Sequence, residues 1–550
     1  MKFKSPYLAA LLSAFLMWLA WPPHTFAAPL LLVGLVPLFI ALDTVILKKE
    51  RKTGKKVFLT AGLTFLVWNT ACIYWVYNAI SAYNHPVVAL LISLIPYGLG
   101  ALLMTFAFWL YYRFQLVVSN RKIAYLALIS FWIAMEYLHA TWDLAFPWMT
   151  LGNGLAGMHQ LAQWYESTGV YGGSIWIMLS NILAFEAYKA FQSERLQGYG
   201  KIRPLLAWLI FLIVPAGISL IRYYRYVEKE IPVNVIAVQP NINPYEKNGS
   251  LSTIEQLKTL TKLSDSVAQL NTEYFIWPET AIPSYANEDN IRSTVEFMNV
   301  QSFLNKYKNG SLITGIESMK FYSDKKTISA KYDENSRTYF DNFNSAMQVE
   351  NSANVQFYHK SKLVPGVEKM PFPKTLSFLS PVFAGLGGTV SGWGWQDHPD
   401  VLYSQSGVGV APVICYESLW GGWIAEAVKD GAQFIAIITN DGWWGNTSGK
   451  DQHFMYAKLR AIESRRWVVR SANTGISGFI NQRGDVVKES KWWTRDALKM
   501  DINLNDEITP YVKSGDILAQ LLSIAAIVLA LFIPYNTFFK KNKSTVKQFR

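Results

Sequence analysis

A chain of 550 residues exceeds one ordinary hydrophobic core, so more than one domain is expected. Apolar residues make up 51% and charged residues only 16%, against about a quarter charged in soluble proteins, which excludes a uniformly soluble chain. The net charge of +12 does not argue for nucleic acid, because the basic residues fall in short clusters between apolar runs and no nucleic-acid motif accompanies them.

Lys2 and Lys4, an apolar stretch and Phe26-Ala27-Ala28 have the outline of a signal peptide with its cleavage site. A second apolar run follows at once and is closed by Lys48, Lys49, Arg51, Lys52, Lys55 and Lys56, so the first helix is expected to be retained. A bilayer crossing takes roughly twenty mostly apolar residues. Runs of that kind occur at 7–21, 27–47, 57–76, 87–112, 123–138, 170–188, 205–221 and 517–535, the fifth being short. With the N-terminus inside, the basic segments at 48–56, 113–122 and 189–203 and the C-terminal tail all fall on the inner side. The connections 78–86 and 140–169 contain no Lys or Arg. About eight spans with both termini cytoplasmic therefore satisfy the positive-inside rule, and the large segment before the last span is expected outside the cytoplasm.

This pattern divides the chain into a bundle of seven spans over 1–226, a soluble domain over 227–507, and a final span with a basic tail over 508–550. In the soluble part, β-rich runs at 233–238, 274–277, 408–414, 434–438 and 467–471 alternate with polar helix-compatible stretches, which reads as α/β. Residues 481–485, Asn-Gln-Arg-Gly-Asp, read as a hairpin turn, and 323–336 as a polar, mobile loop.

Only two cysteines occur, which excludes a disulfide framework. Cys72 lies in an apolar run and reads as a small hydrophobe; Cys415 stands at the end of a strand, in Val413-Ile414-Cys415-Tyr416-Glu417-Ser418. Glu279 follows Trp277-Pro278, and Lys360 follows Tyr358-His359. Taken singly, each is unremarkable: a salt-bridged glutamate, a lysine with Lys362 two positions away, a cysteine packed in a core strand. Together they compose a mechanism. A thiol needs a nearby base or cation to become the reactive thiolate, Glu279 could take its proton, Lys360 could hold the developing oxyanion, and Cys415 would carry the acyl group as a thioester. The seven histidines are scattered without metal-ligand spacing, and neither metal nor cofactor is expected; His359 should point away from Lys360.

The stretches Trp277-Pro278-Glu279, Tyr358-x-Lys360-x-x-Leu363-Val364-Pro365 and Cys415-Tyr416-Glu417 resemble the three catalytic blocks of the nitrilase superfamily, and 439–444 and 470–475 resemble its later blocks. With the membrane spans and Phe146-Pro147-Trp148, the chain resembles the superfamily's membrane-bound branch, the apolipoprotein N-acyltransferases. The resemblance implies a polytopic helical bundle carrying an extracytoplasmic α-β-β-α sandwich in a bacterial inner membrane. It implies ping-pong transfer of a fatty acyl chain from a phospholipid, through a cysteine thioester, to the α-amino group of a diacylglyceryl-cysteine on an apolipoprotein. It assigns Cys415 as nucleophile, Glu279 as base and Lys360 as oxyanion holder, with Glu368, Tyr416 and Glu417 in support.

Two departures stand out. Many members read Leu-Val-Pro-Phe-Gly-Glu where this chain has Leu363-Val364-Pro365-Gly366-Val367-Glu368, moving the glycine by one position. An aromatic residue common near the domain entry corresponds here to Asn248, with Tyr245 as the nearest substitute. The stretch 370–395 is rich in Phe, Leu, Trp and Gly and reads equally as an apolar lid or a packed surface insertion; Trp393, Trp395 and Trp420 are the candidate lipid-facing residues. The membrane tether makes a monomer the expectation. Two rivals remain open at this point: a membrane-tethered amidase using water as acceptor, and a transporter or receptor, for which Glu136 and Glu186 are the intramembrane charges to weigh.

Overall fold

In the computed structural model, residues 5–81, 85–244, 251–376 and 392–548 are described. The chain divides into two compact units, one of residues 1–74, 90–222 and 516–550, the other of Trp75–Ala89 and Tyr223–Gly515.

The first unit is helical: α1 (Pro6–Ala20), α2 (Val36–Leu47), α3 (Thr53–Ile73), α5 (Pro86–Gln115, from Leu90), α6 (Arg121–Thr141), α7 (Tyr165–Gln192), α8 (Tyr199–Arg225) and the C-terminal helix Ile517–Gln548. Among the described residues, seven helices are long and apolar enough to cross a membrane, α2 being counted with the 3-10 turn Thr25–Leu32 before it. The expected first span, α1, is a shorter apolar helix of 15 residues. The fifth span, expected at 123–138, is the full 21-residue helix α6, begun by the Asn120 side chain, which accepts from the Lys122 and Ile123 N–H groups.

Backbone that departs from a helix inside a bundle must find partners in its neighbours. Asn181 of α7 does this for the Thr25–Leu32 turn, donating to the Leu31 carbonyl at 2.8 Å and accepting from Leu35 N–H at 2.7 Å. Glu136 has a similar duty, accepting from Leu151 N–H at 2.7 Å and Trp132 Nε1 at 2.8 Å, while Glu186 pairs with Arg121 at 2.9 Å. Both intramembrane acids are thus engaged in structural contacts.

The second unit contains the short helix α4 (Val76–Ser81) and a two-sheet sandwich. The first sheet has the order β14-β1-β2-β4-β6-β5, with β3 on β4 and β7 on β6. Its strands are β1 (Pro232–Gln239), β2 (Tyr274–Ile276), β3 (Ile282–Asn287), β4 (Ser311–Tyr322), β5 (Lys331–Asp333), β6 (Thr338–Glu350), β7 (Val355–His359) and β14 (Asp496–Asn503). The second sheet runs β13-β12-β11-β10-β9-β8, from β8 (Leu402–Tyr403), β9 (Gly409–Ile414), β10 (Phe434–Thr439), β11 (Val468–Ala472), β12 (Gly478–Ile480) and β13 (Val486–Glu489).

Strand alternation sets the layers. Val233, Val235 and Ala237 of β1 meet Val410, Ile414, Ala436 and Ile438 between the sheets. The intervening Ile236 and Val238 pack under helices α9 (Thr253–Val267) and α10 (Val295–Leu304). On the far side, Ala411, Val413, Ile435 and Ile437 meet α11 (Gly421–Lys429) and α12 (Ser448–Ser464). Strands buried on both faces read as continuous apolar runs, as 434–438 does. The turn at 481–485 joins β12 to β13, with Gly484 at φ +86° and Asn481 Oδ1 accepting from Arg483 and Asp485 N–H. The expected loop 323–336 is not wholly irregular: its residues Lys331–Asp333 form β5, an edge strand on β6 whose exposure leaves no apolar alternation to read.

Candidate active site

Each of the three reactive side chains stands just past the C-terminal end of a strand. β2 gives way to Trp277-Pro278-Glu279, β7 ends one residue before Lys360, and β9 ends one residue before Cys415. Proline blocks extension of the first strand's ladder. At Cys415 the backbone enters the left-handed region, φ +52°, and then a 3-10 turn, Cys415–Leu419. That conformation costs about 1–3 kcal/mol for a residue with a side chain, so neighbours must hold it. Ser418 Oγ donates to the Cys415 carbonyl at 2.9 Å, and Glu417 accepts from Ile414 N–H at 2.8 Å.

Lys360 and Glu279 come together in the interior. The Lys360 ammonium, 1% exposed, lies 2.7 Å from Glu368 Oε1 and 3.2 Å from Glu279 Oε1. Asn344 of β6 donates to the same Glu279 oxygen at 2.8 Å, and Val364 N–H donates to Glu368 Oε2 at 2.8 Å. Burial by itself would lower the lysine pKa, but the charges of Glu368 and Glu279 outweigh it and hold the pKa well above its ordinary value. Lys360 is therefore a fixed cation. The Cys415 thiol is buried in the same field: burial, then the charge of Glu279, push its pKa up, and Lys360 opposes them. The resting thiol is protonated at neutral pH, so its proton must leave to a neighbour during attack.

One position is occupied by glycine because the loop that carries Glu279 passes against it. A Cβ on Gly315 of β4 would stand 2.4 Å from Thr280 N and 2.6 Å from Glu279 Cα. The supporting residues surround the trio. Glu417 is fully buried and accepts from Tyr358 Oη at 2.7 Å and from Ser361 and Lys362 N–H at 2.6 and 3.2 Å. Burial pushes its pKa up against these hydrogen bonds. Tyr416 is buried, with Trp420 edge-on at 5.0 Å.

Lys362 does not share the pocket. The strand ends at His359, the two-residue alternation lapses, and the Lys362 ammonium lies over the Trp423 ring at 4.0 Å. His359 stacks on Phe343 and reaches Glu288 at 2.6 Å. The displaced glycine is absorbed locally: Gly366 takes φ +82°, its N–H donates to Lys369 O at 2.7 Å, and Glu368 still reaches Lys360. Trp393 stacks on Tyr285 and donates its N–H to Glu368 O at 3.0 Å, and Trp395 lies beneath the Lys369 ammonium at 5.3 Å. Trp420 is not part of that stretch; it sits on Tyr416 at the start of α11. Residues 377–391, Tyr245 and Asn248 lie outside the described residues.

Four polar residues not singled out as site residues in the sequence are built into the site. Asn344 fixes the Glu279 carboxylate. His453, on α12, sits with Nε2 3.2 Å from the Cys415 carbonyl and Nδ1 3.0 Å from Asp441 Oδ1, and Arg470 donates to Asp441 Oδ2 at 2.7 Å. Asp441 and Arg470 fall in the later motif blocks, but nothing in their spacing ties them to a histidine on another element. Among the described residues no group of three His, Cys, Asp or Glu side chains is placed to hold a metal.

Comparison with known proteins agrees along the chain. The apolipoprotein N-acyltransferase N-terminal domain model matches residues 13–183, and the carbon-nitrogen hydrolase model matches residues 235–509, half of the 550 residues. The chain is similar to an apolipoprotein N-acyltransferase of Chlorobaculum tepidum, 29% identical over 547 residues and covering 96% of each. It is also similar to one of Geobacter metallireducens, 26% identical, with 96% of this chain and 95% of that one aligned. A third, from Wigglesworthia glossinidia brevipalpis, is 27% identical over 75% of this chain and 76% of its own. With both regions matched in order around a buried Glu–Lys–Cys site, the chain belongs to the apolipoprotein N-acyltransferase family of the nitrilase superfamily.

Proposed function

We propose that this protein transfers a fatty acyl chain from a membrane phospholipid to the α-amino group of an apolipoprotein's diacylglyceryl-cysteine, through a thioester on Cys415. The observation that carries this is a fixed ammonium, Lys360, set between the buried Glu279 and the part-buried Glu368 carboxylates beside a buried thiol, in a chain with seven membrane-length helices among its described residues. Glu279 takes the Cys415 proton as sulfur attacks the ester carbonyl, and Lys360 stabilises the oxyanion. Collapse breaks the ester C–O bond, and the lyso-phospholipid leaves with the proton from Glu279. The acceptor amine then attacks the thioester, gives its proton to Glu279, and the cysteine thiolate is released and reprotonated. Glu368 keeps Lys360 charged and in place, and Glu417 and Tyr416 support the turn that carries the nucleophile.

Lipid at both half-reactions favours an enzyme anchored in the bilayer, since each methylene moved into water costs about 0.8 kcal/mol. The charge pattern favours an inner-membrane protein with both termini cytoplasmic and residues 227–507 periplasmic, acting as a monomer, with 1–226 and 508–550 as its membrane parts. Trp393 and Trp395 flank the stretch we assign as the lipid-facing lid, with Trp420 beside the nucleophile turn. The amidase reading leaves the membrane helices without a purpose, and the transporter reading is not favoured by two acids already engaged.

The test is to incubate the purified protein with phospholipid and weigh the Cys415 peptide. An acyl mass increase is expected in the wild type and in neither Cys415→Ser nor Glu279→Gln, with Cys415→Ser still folded in the membrane. An adduct elsewhere, or one formed only with soluble amides, would overturn the assignment.

A further inference from the structure

The Cys415 carbonyl is held from two sides. Ser418 Oγ donates to it at 2.9 Å, and His453 Nε2 lies 3.2 Å from it and 2.8 Å from Ser418 Oγ. His453 Nδ1 lies between Asp441 Oδ1 at 3.0 Å and Arg470 Nη2 at 2.9 Å, and because the Cys415 carbonyl can only accept, Nε2 bonds it as Nε2–H. Arg470 is in turn fixed by Asp441 at 2.7 Å, and Thr439 donates to Asp441 Oδ1 at 3.0 Å. All five side chains are buried.

The ring is also held in its plane. Trp444 stands edge-on to His453 at 5.2 Å, and Trp75 packs on Trp444 at 5.0 Å. Trp75 Nε1 donates to Gln452 Oε1 at 3.2 Å, and Asn78 Nδ2 donates to the Trp444 carbonyl at 3.3 Å. Gly449 is a glycine for this reason: a Cβ there would lie 2.7 Å from the Trp75 ring. Trp75 comes two residues after the end of α3 and clusters with the catalytic unit.

We propose that His453 is a positioning residue for the nucleophile, holding the Cys415 peptide in its left-handed conformation through Nε2–H, and that Trp75, from the segment between two membrane-length helices, completes its seat. The carbonyl of this residue, at φ +52°, stands at the opening of the 3-10 turn, and the imidazole meets it from outside the turn. Loss of the hydrogen bond lets the peptide relax and carries Sγ away from Glu279 and Lys360. Displacement of a reacting atom by an ångström is worth about a hundredfold in rate. This inference rests on Cys415 being the nucleophile of the proposed reaction.

The test uses the full-length protein in detergent with phospholipid as acyl donor. His453→Leu should lower the rate constant for acyl-enzyme formation about a hundredfold with KM for the donor little changed, and His453→Gln, whose amide N–H can reach the same carbonyl, should recover at least tenfold of that loss. Trp75→Ala should lose about tenfold, and Trp75→Phe should largely restore it. Iodoacetamide alkylation of Cys415, which needs no acyl donor, should shift to higher pH in His453→Leu and return in His453→Gln. If the wild type forms no acyl-enzyme, the functional reading fails while the alkylation profiles still judge His453. Equal rates in His453→Gln and His453→Leu, or an unshifted alkylation profile in His453→Leu, would overturn the positioning role.

Discussion

Replacing Lys360 by methionine removes the one positive charge between two carboxylates. The ammonium is 1% exposed and lies 2.7 Å from Glu368 and 3.2 Å from Glu279. Removing one partner of a buried ion pair costs about 3–5 kcal/mol, because the charge left behind has no counter-ion. At about 2–4 °C per kcal/mol, Lys360→Met should lower the melting temperature of the catalytic unit by roughly 10 °C. Glu368→Gln alone should cost about 1–3 kcal/mol, since the lysine keeps Glu279 and the amide oxygen still accepts. The double variant loses both charges of the closer pair and should cost less than the sum of the two by about 1–3 kcal/mol. Tryptophan-emission melting of the four detergent-solubilised proteins reads the cycle, with acyl-enzyme formation measured in parallel. Both variants lacking Lys360 should form no acyl-enzyme, although the double variant is more stable than additive losses would make it. Additive melting-temperature losses would refute the ion triad, and acyl transfer by Lys360→Met would refute the oxyanion role.

Gly315→Ala should lower acyl-enzyme formation about a hundredfold through displacement of Glu279, whose Cα a Cβ would approach to 2.6 Å; wild-type rates would show the loop that carries Glu279 to be pliant. Asp441 supplies a pH dependence. Burial alone would raise its pKa, but the Arg470 guanidinium and the neighbouring His453 hold it well below the usual carboxylate range. A depressed folded pKa contributes stability above the unfolded value of about 3.9, and that contribution is lost as pH falls below it. Asp441→Asn should therefore be less stable than wild type at pH 7 but lose less melting temperature between pH 5 and pH 3. Equal acid losses in the two proteins would remove the Asp441 charge from the stability of this site.

Most membrane segments were legible because length and apolarity alone define them, and the limits of α6 were missed only because Arg121, Lys122, His139 and Thr141 dilute its ends. The candidate residues Glu279, Lys360 and Cys415 stand out in the sequence because each follows a short apolar strand, where a Glu, Lys or Cys is conspicuous. Asn344 could not, since it lies mid-strand in β6 with nothing to mark its aim at Glu279. The group around His453 draws on positions 441, 453 and 470, which only packing of α12 against β10 and β11 brings together. Strand β5 escaped because an exposed edge pair carries no hydrophobic alternation.

One oxygen of Glu417 accepts from Ser361 N–H, just after β7 in the first sheet, and the other from Ile414 N–H at the end of β9 in the second. The distance between the lysine strand and the cysteine strand is thus gauged by a single carboxylate, and not by the chain that runs between them. Of that intervening chain, the turn from Val364 to Glu368 still serves the site, by holding Lys360.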